Sequence, residues 1–291
     1  MKKILVTGAT GFIGNYVIAE LAKKKHEVIA TSASAHKAAT QSWYGNIQYL
    51  PLNFNQLQQN VNYQQYFNNP EVVIHLAWQG LPNYKASFHT QQNLPIHFSF
   101  IKNLVQNGQQ NITIAGTCFE YGMHEGCLIE SMQTQPNNEY AIAKDDLRKQ
   151  IEQLQQQHPF CFKWARLFYM YGAGQHPNSL FSQLDRALQN GDMVFNMSGG
   201  EQVRDYLPIE RVAEYIVAIA LQQKITGVIN CCSGKGIAIK HLVQNYVYQQ
   251  NKEIKLNFGY FPYPDYEPME FWGDNNKLKK IINTAFEIES I

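Results

Sequence analysis

Two residues carry the most suggestive spacing in the chain: Tyr140 and Lys144, in "NNEYAIAKDDL", stand four apart within a helical pattern. A separation of four puts both side chains on one helix face. A free phenol has a pKa of about 10 and is a poor acid or base near neutrality. A cation one turn away stabilises the phenolate and moves that pKa toward operating pH, so the pair could handle a proton. Upstream, "AGTCFEYG" (115–122) gathers a hydroxyl, a thiol, an aromatic ring and a carboxylate at the end of an apolar run. Near the start, "VTGATGFIGNYV" sets Gly8, Gly11 and Gly14 between an apolar run and a helical pattern. Gly8 permits a tight turn, Gly11 lets backbone N–H groups approach a diphosphate, and Gly14 lets the helix pack close to the sheet.

The elements that must position these groups follow from the hydrophobic pattern. Apolar runs at 3–7, 27–31, 47–50, 72–77, 112–117 and 162–168 predict buried strands. Helical patterns fall at 12–25, 90–107 and 139–157. Short apolar strands alternating with helices predict an α/β fold, a Rossmann-type doubly wound parallel sheet covered on both faces. After Tyr171 the pattern loosens into "GAGQHPNS" and later the aromatic, proline-dense "YFPYPDYEP". The expected division is a dinucleotide-binding domain over 1–171, rejoined by 203–232. Residues 172–202 and 233–291 then form a smaller C-terminal α/β substrate-binding lobe over the C-terminal edge of the sheet.

Composition narrows the function. The 291 residues carry a formal charge of +1 with no Lys/Arg block, which argues against nucleic acid and anionic membranes as partners. Five cysteines form no C-x-x-C, and the adjacent Cys231 and Cys232 lack metal-ligand spacing, so neither disulfides nor a metal site is expected. The N-terminal apolar run stops at Thr7-Gly8, and no run is long enough to span a bilayer. A cytoplasmic protein is the expectation.

The spacing G-x-x-G-x-x-G resembles the short-chain dehydrogenase/reductase superfamily. "TGATGFIG" resembles its extended branch, the NAD-dependent epimerase/dehydratase family, which acts mainly on nucleotide sugars. The likeness covers nearly the whole chain. It implies that Thr117, five residues before Gly122, joins Tyr140 and Lys144 in a Ser/Thr–Tyr–Lys triad. Tyr140 then protonates a carbonyl oxygen as hydride reaches the carbon, and Lys144 holds the nicotinamide ribose. The resemblance also implies cofactor contacts at Gly8, Thr10, Gly11, Phe12, Ile13 and Gly14. Further contacts are implied at Asn53 and Phe54 near the adenine, at Leu76 and Ala77 in "HLAW", and at Asn93 in "QQNLP".

An acid about 20 residues past the first glycine would hold the ribose 2′-OH of NAD. Here "EVIATSASAHKAA" offers no carboxylate at the strand end, while Ser32, Ser34, His36 and Lys37 could accept a 2′-phosphate. NADP(H) is therefore expected over NAD(H), although His36 and Lys37 also read as solvated loop residues.

In the family's 4,6-dehydratases an Asp and a Glu follow the catalytic Thr; here Cys118 and Phe119 stand there. Phe cannot abstract a proton, which disfavours dehydration. Glu120 comes one residue late, which on a strand turns it to the opposite face, so a structural acid is expected. "HLAWQGLPNY", "AGTCFEYG" and "YPDYEPMEFWGD" resemble the sugar-nucleotide 4-ketoreductases of dTDP-6-deoxyhexose synthesis. That likeness implies NADPH-dependent reduction of a nucleotide-linked 4-keto-6-deoxyhexose for surface polysaccharide. It places substrate contacts at Trp78, Cys118, Phe119, Asn178 and Ser179, and a diphosphate contact at Arg204. Two alternatives stand beside it: an NAD-retaining epimerase, and a non-catalytic NADP-sensing regulator. Family members often form homodimers through helices of the 90–107 and 139–157 regions.

Overall fold

The computed structural model describes residues 1–265 and 267–289. Seven strands form the central sheet: β1 (Lys3–Thr7), β2 (Glu27–Thr31), β3 (Gln48–Tyr49), β4 (Val72–His75), β5 (Asn111–Thr117), β6 (Cys161–Leu167) and β7 (Gly227–Cys231). Their order is β3-β2-β1-β4-β5-β6-β7, and every pair is parallel. The order reverses between β1 and β4, and a ligand crevice opens at such a switch point beyond the strands' C-terminal ends. Thr7, Thr31 and His75 share that edge, in register with one another.

Helices cover both faces. On one face α1 (Phe12–Lys23) and α4 (Ile209–Leu221) bury Val17, Ile18 and Leu21 against Val212, Ile216 and Val217. On the other, α2 (Leu94–Gln106) and α3 (Glu139–Gln157) set Phe100, Leu104, Leu147 and Ile151 over Leu5, Val73, Ile112 and Trp164. Phe181, Leu184, Phe195, Met197, Val243 and Val247 form a separate core. β7 lies within the 203–232 segment and pairs with β6 in the main sheet.

The structure differs from the sequence pattern in three places. β4 ends at His75 rather than at 77 because the N–H groups of Leu76 and Ala77 bond the Thr7 hydroxyl instead of a neighbouring strand. The α2 region begins with a π-helical turn, His89–Asn93, before the α-helix proper. The last helix, Asn276–Glu289, sets Leu278 and Ile281 into the same core as α1 and α4 and not into the separate core around Phe181 and Val243. Among the described residues no helix is long and apolar enough to cross a membrane, and no group of three or more His, Cys, Asp or Glu could hold a metal ion.

Candidate active site

The glycine turn is shaped by what cannot fit. Gly8 has φ +69°, and a Cβ there would lie 2.9 Å from the Ala77 nitrogen. A Cβ on Gly14 would lie 2.3 Å from the Gly8 carbonyl oxygen, and one on Gly11 3.0 Å from the same atom. Only glycines let the start of α1 close this far over the end of β1, leaving a bare backbone cradle at a helix N-terminus.

A buried polar string anchors the cradle. The Thr7 hydroxyl oxygen accepts from Leu76 N at 3.1 Å and Ala77 N at 3.2 Å. Its lone pairs are then filled, so its proton goes to His75 Nδ1 at 2.9 Å. The sense of the chain follows: His75 Nε2–H donates to His97 Nδ1 at 2.9 Å, and His97 Nε2–H donates to Gln79 Oε1 at 2.9 Å. Both rings are neutral. Burial pulls His75 down to about 3 and, with His75 beside it, holds His97 well below its ordinary value.

From the cradle a cleft of about 680 Å³ runs along the C-terminal edge of β1, β4 and β5. It gathers many of the residues expected from sequence: Gly8, Gly11, Phe12, Ile13 and Gly14 at one end, Leu76 and Lys37 beside them, and Trp78, Thr117, Cys118, Phe119 and Tyr140 at the other. Thr10 sits in the turn between the glycines, and Ala77 packs behind Gly8. The sequence did not single out Tyr84, Tyr169 or His176, which also line the cleft. They come from loops and short strands with no motif of their own.

Thr117 is the last residue of β5 and caps the turn Cys118–Tyr121. Its hydroxyl pulls the pKa of the Tyr140 phenol down. The net shift of Tyr140 is nonetheless upward, opposite to the expectation from a neighbouring lysine. Burial of the ring dominates, and Tyr84, Glu120 and Cys118 add to it. The main-chain N–H of Tyr140 donates to Tyr84 O at 3.0 Å, which docks the 80–84 loop on the start of α3. Lys144 is buried one turn on, its Nζ 4.4 Å from the centroid of Trp78 and 5.0 Å from that of Trp164. Burial lowers it to about 7 against the opposing pull of Glu120.

Glu120 is fully buried and turned away from the cleft. Its carboxylate accepts from Thr117 N at 2.8 Å, Trp164 Nε1 at 2.9 Å and Arg166 Nε at 2.8 Å. The structural role expected of it is the one observed. Cys118, beside the cleft, has its thiol pushed up by burial, and Phe119 stands edge-on to Tyr84 at 5.3 Å.

Several expected contacts fall elsewhere. Arg204 spends all five N–H donors within the chain: on Glu267 through Nε and Nη2, and on the carbonyls of Val203, Pro268 and Met269. It braces that segment and has no donor left for a diphosphate. Phe54 is buried against His97, His75 and Phe100, so its side chain is core. Asn53 accepts from Asn55 N to cap a turn, outside the cleft. Asn93 braces the Gln79 carbonyl at 3.0 Å from behind. Ser32 is buried and its hydroxyl meets Tyr49 OH at 3.1 Å, leaving Lys37 alone of that pair on the cleft. The cleft wall ends at Pro177, just before Asn178 and Ser179; the Ser179 hydroxyl turns to Ser182 at 2.9 Å.

Known proteins resemble the chain over most of its length. The chain is 30% identical to dTDP-6-deoxy-L-talose 4-dehydrogenase (NAD(+)) of Aggregatibacter actinomycetemcomitans, over 93% of this chain and 98% of that protein. It is 23% identical to dTDP-4-dehydro-6-deoxyglucose reductase of Escherichia coli, over 88% and 84% respectively. Among solved structures, the UDP-N-acetylglucosamine 4-epimerase of Methanobrevibacter ruminantium M1 shares the fold with a TM-score of 0.84 at 20% identity, covering 96% of this chain and 91% of that one. Residues 4–232, which span the cradle, the cleft and the seven strands, match the NAD dependent epimerase/dehydratase family, and the chain belongs to it.

Proposed function

We propose that the protein reduces the 4-keto group of a nucleotide-linked 4-keto-6-deoxyhexose, with NADPH as reductant. The observation that carries this reading is the wall of the cleft beside Thr117 and Tyr140. Cys118 and Phe119 occupy it, and the nearby acid, Glu120, is locked behind it against Arg166. Dehydration needs a base and an acid there, whereas reduction of a ketone needs one proton. The two dTDP-sugar enzymes to which the chain is similar interconvert a C4 carbinol and a ketone by name, and reduction is the reverse of 4-dehydrogenation.

The cradle fits a dinucleotide: Gly8, Gly11 and Gly14 line the cleft, and Gly11 begins α1 with no side-chain cap, which leaves bare backbone at a helix N-terminus for a diphosphate. When bound, the nicotinamide supplies hydride to the sugar carbon. The Thr117 hydroxyl hydrogen-bonds the carbonyl oxygen and Tyr140 gives that oxygen its proton. The raised pKa of Tyr140 keeps the phenol protonated until then. Lys144 places positive charge next to the phenolate that forms. Lys37 on the cleft, with no acid at the end of β2, supports a 2′-phosphate and hence NADPH.

The test mixes the protein with dTDP-4-keto-6-deoxyglucose and either NADPH or NADH, and follows loss of nicotinamide absorbance. Oxidation with kcat/KM favouring NADPH is expected. A preference for NADH overturns the cofactor assignment alone. No net oxidation with either, together with NAD that copurifies and C4 inversion of a nucleotide hexose, replaces the reductase with an epimerase.

A further inference from the structure

Lys144 sits in an unusual seat. Its ammonium lies over the faces of two indoles, Trp78 at 4.4 Å and Trp164 at 5.0 Å from the ring centroids. Neither ring is free to turn. The Trp78 N–H donates to His89 Nδ1 at 3.0 Å, and its plane stacks on His97 at 4.8 Å with 18° between them. The Trp164 N–H donates to both Glu120 oxygens, at 2.9 and 3.1 Å, and its indole fills the space over Gly116, where a Cβ would come 2.0 Å from Nε1. An indole N–H given to a carboxylate enriches the ring face that the cation meets.

We propose that Trp78 and Trp164 are positioning residues that clamp the Lys144 ammonium between two indole faces, fix where it points and keep it charged inside the protein. A desolvated cation is attracted to the negative face of an indole, and burial opposes its charge at this position. Around Lys144, His75 from β4 and His97 from α2 are neutral, and Tyr140 on its own helix keeps its proton. Burial also pulls His89, whose Nδ1 accepts the Trp78 N–H, below its ordinary value. Glu120 from the turn after β5 is paired with Arg166. A titration there between pH 6 and 9 therefore reports Lys144.

This inference rests on the catalytic part proposed for Lys144, and its first test is independent of that part. Indole emission of the cofactor-free protein is titrated from pH 5.5 to 9.5. A step that Lys144→Met abolishes is expected. In Trp78→Leu the midpoint of the step moves down by roughly 0.5 to 1.5 units, and in Trp78→Phe by less. If Trp78→Leu does not fold, Trp164→Phe, which keeps a ring but loses the bond to Glu120, carries the smaller downward shift expected of Trp78→Phe. A midpoint that stays within about 0.2 units in the folded variant overturns the clamp. With substrate, the high-pH limb of kcat moves by the same amount; a loss equal at every pH marks a merely structural residue.

Discussion

The Glu120 carboxylate accepts the main-chain N–H of Thr117 at 2.8 Å while pairing with Arg166 at 2.8 Å behind it. One buried acid thereby fixes the residue that ends β5 and the indole beside Lys144. Replacing Glu120 with Gln leaves Arg166 buried without its counter-ion. Breaking such a pair costs about 3–5 kcal/mol. Denaturant unfolding of Glu120→Gln is expected to show a loss of that size. A variant of wild-type stability and lost turnover would instead make Glu120 a chemical participant.

Thr117 and Tyr140 line the cleft together. Removing the phenolic hydroxyl in Tyr140→Phe removes the proton donor, and kcat is expected to fall about 10²- to 10⁴-fold with the folding midpoint nearly unchanged. Thr117→Val leaves the donor in place and is expected to cost less than Tyr140→Phe. Steady-state rates and thermal melts of the two variants decide it.

Burial lowers Lys144 to about 7 in the folded chain, against about 10.4 for a free lysine. Between those values the unfolded chain binds the extra proton, so stability rises with pH across the window. The penalty is complete below about pH 7. Lys144→Met is accordingly expected to be inactive yet more stable than the parent at pH 6. The gap should close as pH climbs toward 10, as melts at several pH values would show.

The histidine pair works in the opposite range. His75 is held at about 3 and His97 well below its usual value, whereas both protonate near 6.5 when unfolded. Their contribution is intact above about pH 6.5 and is lost as pH falls toward 3. The double variant His75→Leu, His97→Phe is expected to flatten the fall of unfolding free energy between pH 6 and 4, whatever its absolute stability. An unchanged slope would show that other groups drive acid unfolding.

The sequence by itself determined what depends on neighbours along the chain. Gly8, Gly11 and Gly14 could be read because a turn between a strand and a helix is a local event, and Tyr140 and Lys144 because four residues make one helical turn. The alternation of apolar runs and helical patterns likewise specified a parallel sheet, since such strands must be covered on both faces. The apolar run 112–117 put Thr117 at the end of a strand, and the family resemblance, through its spacing to Gly122, implied its place beside Tyr140 and Lys144.

What only the tertiary structure decided was where long side chains spend their donors and charges. Arg204 is surrounded by carbonyls from 268 and 269, more than sixty residues away in sequence, so its commitment left no local trace. The two indoles around Lys144, Trp78 and Trp164, come from the segment after β4 and from β6, and Glu120 becomes the anchor of Trp164 only once β5 and β6 pair. The upward shift of Tyr140 has the same origin. Adjacency to a lysine predicts a lower pKa, but desolvation is a property of the whole packed site, and it outweighs that single neighbour.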